Sequence, residues 1–157
     1  MTTKNKVNAS TPQSERSAAR LGAVQALFQL ELSDKPKPEM VVIEFEIYRL
    51  GKEVDGDLYS KADVKFFKNL VVGAFKIKED LDDLISAHLT KGWSLKRLER
   101  IMVAILRAGT YELKFRPDIP IAVIVNEYVD ITHAFFSNSE HKFVNGILDK
   151  LGKKIRG

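Results

Sequence analysis

The 157-residue sequence predicts an all-α protein. Apolar side chains recur in segment after segment at the i, i+3, i+4, i+7 spacing of one helix face, most clearly between Leu95 and Phe115. No segment shows the sustained alternation of apolar and polar residues that is typical of a half-buried strand. Prolines, glycines and short polar side chains separate the helical segments, as expected at helix boundaries.

The segment from Leu95 to Phe115 is predicted to be the central helix, with Ser94 as its N-cap. Its apolar stripe extends well beyond one face and contains Leu98, Ile101, Met102, Val103, Ile105, Leu106, Gly109, Tyr111 and Leu113. A helix that is apolar on most sides must be surrounded by other elements, because each large apolar side chain left in water forfeits about 1.5–3 kcal/mol of burial.

The N-terminal segment divides into a polar tail and a helix. Residues 1–12 show no helical or strand periodicity of apolar side chains and are predicted to be a disordered basic tail that ends at the cap of the first helix. Thr11 followed by Pro12 is typical of an N-cap and the first helical position, and the helix is expected to continue to about Leu32. Two prolines within residues 33–38 end it.

The remaining helices follow from the same periodicity. One is predicted over about 39–52, and a long helical stretch over about 60–88 with a break near Lys78. After the central helix, two more are predicted over about 121–136 and 140–155. The chain is therefore expected to contain about seven helices.

Composition narrows the class of protein. A chain of this length forms one domain or two small subdomains with a real core. The sequence has no cysteine, which excludes disulfides, thiolate catalysis and thiolate metal ligands, and fits a cytoplasmic location. No apolar run approaches the roughly 18 residues that a membrane helix needs, and the polar N-terminus does not resemble a secretory signal.

Enzyme motifs are missing from the sequence. It contains no glycine-rich phosphate loop, no G-x-S-x-G and no H-E-x-x-H. The acidic cluster at residues 79–83 fits a solvated helix face better than a metal site, because no further ligands accompany it. We therefore expect no catalytic residue, no cofactor and no metal, and predict that the protein is not an enzyme.

Charge is segregated along the chain. Residues 91–116 carry seven basic and two acidic side chains, and residues 142–157 carry five basic and one acidic. Residues 117–141 carry only four acidic side chains. This segregation indicates a side that faces a polyanion, although solvated charged faces explain it equally well.

Two places are candidates for contact with a polyanion. The start of the last helix combines free N–H groups with His141 and Lys142, and Phe143 is able to stack on an unpaired base. The helical pattern alone favours a core position for Phe143. Arg16 and Arg20 form a second basic patch, one turn apart on the first helix, or else a solubilising first turn.

Three stretches resemble the NusB family of bacterial transcription antitermination factors. They are ARLGAVQALFQLELS (19–33), ILRAGTYEL (105–113) with IPIAVIVNEYVDI (119–131), and HKFVNGILDK (141–150). They occur in the right order and span nearly the whole chain. The resemblance implies a single NusB-like domain over 1–157, with two packed helical subdomains over about 12–90 and 94–157.

The resemblance also implies a function without catalysis. Members of the family bind boxA-type single-stranded RNA jointly with NusE, a small-subunit ribosomal protein. They do so in the RNA polymerase antitermination complex that transcribes ribosomal RNA operons. The expected partners are therefore boxA-type RNA, NusE and that complex, without a membrane.

Site residues follow from the resemblance by position. Arg16 and Arg20 fall in the arginine-rich N-terminal segment that binds RNA, although this run is thinner here, so Lys4 and Lys6 are expected to contribute. The C-terminal motif adds Lys142 and Phe143, the pair that faces RNA, and Ser139, where another member has an acidic residue that tunes RNA affinity.

Two further positions are implied at the surface that faces NusE. Phe28 occupies a position usually held by tyrosine, and Met102 lies where that surface continues on the central helix. Phe28 lacks the phenolic hydroxyl, so any hydrogen bond made through that group is lost.

Two other functions compete with RNA binding as an adaptor. The chain would be a helical protein–protein interaction module, including a homodimer, if its basic face is incidental. It would be an RNA-modifying enzyme if it resembles the NusB-like domains fused to ribosomal RNA cytosine methyltransferases. The sequence disfavours the enzyme, because it offers no cofactor fold and no nucleophilic cysteine.

Overall fold

The computed structural model describes residues 11–50 and 62–157. Within these two stretches the chain forms seven α-helices and one short 3₁₀ turn at Leu95–Arg97, and it forms no strand. The helices are α1 (Pro12–Leu32), α2 (Pro38–Tyr48), α3 (Val64–Lys76), α4 (Lys78–Ser86), α5 (Arg100–Phe115), α6 (Ile121–Phe135) and α7 (Glu140–Arg156). The all-α prediction is confirmed. Of the predicted tail at residues 1–12, residues 1–10, which include Lys4 and Lys6, lie outside the described residues, whereas Thr11 and Pro12 form the start of α1.

The chain divides into two compact units, Met1–Val72 and Gly73–Gly157, and the division falls within α3. The sequence prediction places its boundary later, between about 90 and 94, so the two divisions assign α4 to different parts.

The first unit is built on α1. Its start follows the prediction, because the Thr11 side chain accepts a hydrogen bond of 3.0 Å from the Ser14 N–H, and the Ser14 hydroxyl caps the Thr11 N–H in return. Near the middle of α1, a Cβ added to Gly22 would lie 2.7 Å from the Leu50 side chain. The absence of a side chain at Gly22 therefore lets Leu50, which follows α2, pack closely against α1.

The second unit is organised around α5. Twelve consecutive residues of α5, from Met102 to Leu113, are buried, and the helix contacts α4, α6 and α7. The prediction of a central helix surrounded by other elements is confirmed within this unit. One buried polar pair joins two of its helices, since the Tyr128 hydroxyl in α6 donates a hydrogen bond to the Glu112 carboxylate in α5.

The start of the central helix differs from the prediction. Residues 95–97 form a 3₁₀ turn, Leu98 is extended with φ −87° and ψ 150°, and α5 begins only at Arg100. Ser94 makes no capping hydrogen bond through its side chain. The Arg100 guanidinium donates instead to the carbonyl oxygens of Leu95 and Leu98, which satisfies groups that the interruption leaves without helical partners.

The other boundaries are close to the predicted ones. The predicted break near Lys78 is confirmed, since α3 ends at Lys76 and α4 begins at Lys78. At the other end of the chain, α7 continues to Arg156. None of the helices in the described part of the chain is long and apolar enough to cross a membrane.

Candidate nucleic-acid interface

Three of the predicted RNA-binding residues share one turn at the start of α7. Ser139 precedes the helix, and Lys142 and Phe143 follow at i+3 and i+4, which places all three on the same side. Ser139 and Lys142 are exposed, whereas Phe143 is half-buried. The Ser139 side chain makes no capping hydrogen bond. The turn therefore presents a hydroxyl, a cation and part of an aromatic ring together.

An open groove of about 450 Å³ lies beside this turn, within the second unit. It is lined by Thr90, Trp93, Arg97, Leu98, Glu99, Met102, Phe136, Ser139, Glu140 and Phe143. We call it the Trp93 groove. Met102, a predicted contact for NusE, is only 4% exposed and is one of the residues that line this groove.

Trp93 was not among the site residues predicted from the sequence, although it lines this groove. Its side chain is 56% exposed although tryptophan is normally well buried. The available signal was the position of the single tryptophan of the chain among basic residues, between Lys91 and Lys96.

His141 is placed differently from its neighbour Lys142. Its ring packs against His133 of α6, with centroids 4.3 Å apart and planes inclined by 30°. Its Nδ1 atom is buried and has no hydrogen-bond partner among the described residues. The helix start therefore presents its charge to solvent through Lys142.

The second predicted patch, Arg16 and Arg20, belongs to the first unit. Both guanidinium carbons lie 5.0 Å from the centroid of the Phe66 ring, a distance typical of cation–π contacts. The side chain of Arg16 is 35% exposed, and its Nε lies 3.8 Å from an Asp63 carboxylate oxygen. Arg20 is 2% exposed, so a phosphate reaches Arg16 but not Arg20 in this conformation.

Phe28, the other predicted contact for NusE, is half-buried on α1. It shares a face with Leu21 and Leu32, at the i, i+7, i+11 spacing, and these two are 37% and 60% exposed. This face of the first unit is therefore an accessible apolar stripe.

The described residues contain no group of three or more histidine, aspartate or glutamate side chains that would hold a metal ion. Within the acidic cluster at residues 79–83, Asp82 is paired with Arg107 of α5.

Comparison with known sequences identifies the family that the sequence motifs resemble. The model of the NusB family matches residues 17–153. The transcription antitermination protein NusB of Rhizobium rhizogenes is 50% identical over 143 residues, which are 91% of this chain and 89% of that protein. The protein of the same name from Novosphingobium aromaticivorans is 48% identical over 141 residues, 90% of this chain and 95% of its own length.

Solved structures are similar over most of the chain. The structure of T. maritima NusB has a TM-score of 0.75 and 33% identity, and the match covers 92% of this chain and 93% of that one. A crystal structure of antitermination factors NusB and NusE in complex with dsRNA contains a similar chain, with a TM-score of 0.70 and 26% identity. That match covers 88% of this chain and 96% of the other.

Proposed function

This chain belongs to the NusB family, and from that membership we propose that it is an RNA-binding transcription antitermination factor of the cytoplasm. Its relatives are named as transcription antitermination proteins and not as enzymes. The proposed ligand is boxA-type single-stranded RNA, bound jointly with NusE within the RNA polymerase complex that transcribes ribosomal RNA operons. A chain of similar fold occurs in a complex with NusE and dsRNA, which supports NusE and RNA as the classes of partner.

The observation that carries the proposal is the grouping of Ser139, Lys142 and Phe143 on one turn of α7. A cation attracts phosphate without regard to sequence, whereas a partly exposed aromatic ring stacks on an unpaired base. Both kinds of contact lie within reach of a single nucleotide, which is the arrangement that a single strand requires.

Arg16 is proposed as a second phosphate contact, on the first unit. The Phe66 ring and the Asp63 carboxylate hold its guanidinium in place, yet a third of the side chain stays exposed. Arg20, the other predicted contact, is covered, and in this proposal it supports Phe66 from its buried side.

NusE is proposed to contact two surfaces. One is the apolar stripe that contains Phe28, Leu21 and Leu32 on α1. The other is the surface of the second unit next to Met102, whose own side chain is 4% exposed and supports that surface from within.

A salt titration of RNA binding tests the proposed function. For a boxA-type oligonucleotide, the logarithm of the association constant should fall linearly with the logarithm of salt concentration, by about 0.7 for each phosphate neutralised on a single strand. A scrambled oligonucleotide of the same length should bind more weakly, and added NusE should tighten only the boxA complex. Equal and weak binding of both oligonucleotides, with or without NusE, would contradict the proposal.

A protein–protein interaction module, including a homodimer, is the alternative that a specific observation favours. Three apolar side chains on the outer face of α2, Met40, Ile43 and Ile47, are 60%, 51% and 53% exposed. Their i, i+3, i+7 spacing makes a continuous stripe. The mass in solution from light scattering decides: a monomer that binds boxA-type RNA supports the adaptor, and a stable dimer that binds no RNA supports the alternative.

A further inference from the structure

We propose that the Trp93 groove is a pocket for one unpaired guanine base, in which Trp93 stacks on the base and Glu140 accepts its N–H groups. The inference rests on the proposed function, because it assigns one nucleotide of the bound strand to a place on the second unit. It adds two residues, Trp93 and Glu140, to the RNA-binding site.

Trp93 is held in its exposed position by its own loop. Its backbone N–H donates to the Thr90 carbonyl oxygen at 3.0 Å, and Gly92 before it has a φ of +93° that favours glycine. The Arg97 guanidinium donates to the Gly92 carbonyl oxygen at 2.6 Å, which ties the loop to the 3₁₀ turn. A large aromatic side chain that is exposed on a constrained loop is prepared for binding, since little order is lost when a ligand arrives.

The lining of the groove also includes Glu140, whose carboxylate contains a hydrogen-bond acceptor that has no donor among the described residues. The Oε1 atom of Glu140 is shielded from solvent and has no hydrogen-bond partner among the described residues. Glu140 lies between Ser139 and the Lys142–Phe143 pair in the chain, and all but Lys142 line the groove. A carboxylate oxygen that is removed from water needs a donor. Because Glu140 lines the groove, a base bound there supplies that donor in our proposal once the side chain turns toward it.

The charge around the groove favours a nucleic acid over a protein side chain. Lys91, Lys96 and Arg97 are all exposed on the segment that carries Trp93. Lys142 is likewise exposed and precedes Phe143, so cations adjoin the lining residues in both chain segments, beside the acidic Glu99 and Glu140 of the lining itself. These cations are available to the phosphates that flank a bound base. The volume of about 450 Å³ is within the range of small-molecule clefts.

The chemistry of Glu140 selects among the four bases. An ionised carboxylate only accepts hydrogen bonds. On its Watson–Crick edge guanine presents two neighbouring donors, N1–H and the N2 amino group. In adenine and in cytosine, the group next to the amino donor is a ring nitrogen that only accepts hydrogen bonds. Uracil presents one N–H between two carbonyl oxygens. Guanine is therefore the base that fits the groove best.

The fluorescence of Trp93 tests the inference directly, because it is the single tryptophan of the chain. The full chain is titrated with short oligouridine strands that differ at one central position, which is guanine, inosine, adenine, cytosine, uracil or an abasic site. Binding is measured in parallel from the anisotropy of a label on the RNA. The guanine strand should bind most tightly and quench Trp93, and the abasic strand should bind without quenching.

Substitutions separate the stacking role of Trp93 from the hydrogen-bonding role of Glu140. Trp93→Ala should weaken binding of the guanine strand by roughly 5- to 150-fold, which corresponds to the loss of one base–aromatic stacking contact. Trp93→Phe should retain most of the affinity, and Phe115→Ala, which removes an exposed aromatic side chain outside the groove lining, should change it little. Glu140→Gln should reduce the preference for guanine over inosine and adenine to near unity while Trp93 is still quenched.

The outcomes distinguish this inference from the proposed function. RNA that binds without quenching Trp93, and with the same affinity for Trp93→Ala, overturns the base pocket and leaves RNA binding intact. If Trp93→Ala weakens binding of NusE and not of RNA, the groove receives a protein side chain and the inference is wrong. If wild-type protein binds neither boxA-type RNA nor these strands, the proposed function fails, and the inference fails with it.

Discussion

Arg107 of α5 and Asp82 of α4 form two parallel hydrogen bonds, each 2.8 Å long, between guanidinium and carboxylate. The side chains are 11% and 26% exposed, so water screens the pair only weakly. Arg107 is one of the seven basic residues of the segment 91–116, yet it serves to join two helices of the second unit.

Removing the carboxylate should destabilise the protein. Asp82→Asn removes the carboxylate charge from the two hydrogen bonds that Asp82 makes with the largely buried guanidinium, and we expect the free energy of unfolding to fall by about 1–3 kcal/mol. Urea denaturation measures the loss. Asp80→Asn, an exposed change on the same helix, serves as the control and should stay within about 0.5 kcal/mol of the wild type. Equal effects of the two substitutions would show that the pair contributes nothing.

Arg156 should stabilise the C-terminal end of α5. Its guanidinium donates to the carbonyl oxygens of Leu113, Ile119 and Arg116 at 3.0, 2.6 and 2.8 Å. Arg156→Met leaves these carbonyls without that donor, and we expect a loss of about 2–3 kcal/mol, seen as a lower thermal midpoint. Lys154→Met, an exposed neighbour, should leave the midpoint nearly unchanged. An unchanged midpoint for Arg156→Met would contradict this role.

Two glycines should respond to alanine in opposite directions. A Cβ at Gly73 would overlap the Tyr111 hydroxyl and lie 2.7 Å from its Cε1, and the ring is only 8% exposed. Gly73→Ala should therefore destabilise the protein by about 1–2 kcal/mol, because overpacking outweighs the gain in helix propensity. Among the described residues, no atom apart from the neighbouring backbone of α7 lies within 4 Å of a Cβ added at Gly146, so Gly146→Ala should stabilise by up to about 1 kcal/mol. Denaturation curves that shift in the same direction would contradict the packing argument.

Arg16 and Arg20 should have different roles although they share Phe66. Arg20→Ala should lower stability by about 2–3 kcal/mol, because a 2% exposed guanidinium and its ring contact are lost. Arg16→Ala should change stability by less than about 1 kcal/mol but lower RNA affinity and reduce the salt slope by about one phosphate. Paired unfolding and RNA-binding measurements check both. A loss of RNA affinity in Arg20→Ala at full stability would mean that Arg20 becomes exposed on binding.

Helix boundaries that depend on local signals were predictable from the sequence. Thr11 and Pro12 mark the start of α1, and the structure places a break beside Lys78 as the periodicity indicates. The start of α5 was not predictable, because it depends on where the side chain of Arg100 donates its hydrogen bonds. Periodicity records which residues are apolar, and it carries no information about such contacts.

The candidate site was predictable only in part for a related reason. Ser139, Lys142 and Phe143 are close in sequence, so helical spacing alone places them together. A count of charges, however, does not distinguish Arg156, which donates to carbonyl groups, from Lys142, which is exposed. Trp93 acquires its significance from a groove whose lining comes from residues 90–143, and no local pattern reveals that lining.

The central claim is that the start of α7 binds single-stranded RNA, and two charge reversals on this helix test it most directly. Lys142→Glu lies in the proposed site, and Lys154→Glu makes the same change of charge 12 residues, about 18 Å, further along the helix. Affinity for boxA-type RNA is measured for both at one salt concentration. We expect a loss of at least about tenfold for Lys142→Glu and a loss of less than about threefold for Lys154→Glu. Equal losses, or no loss in either variant, would contradict it.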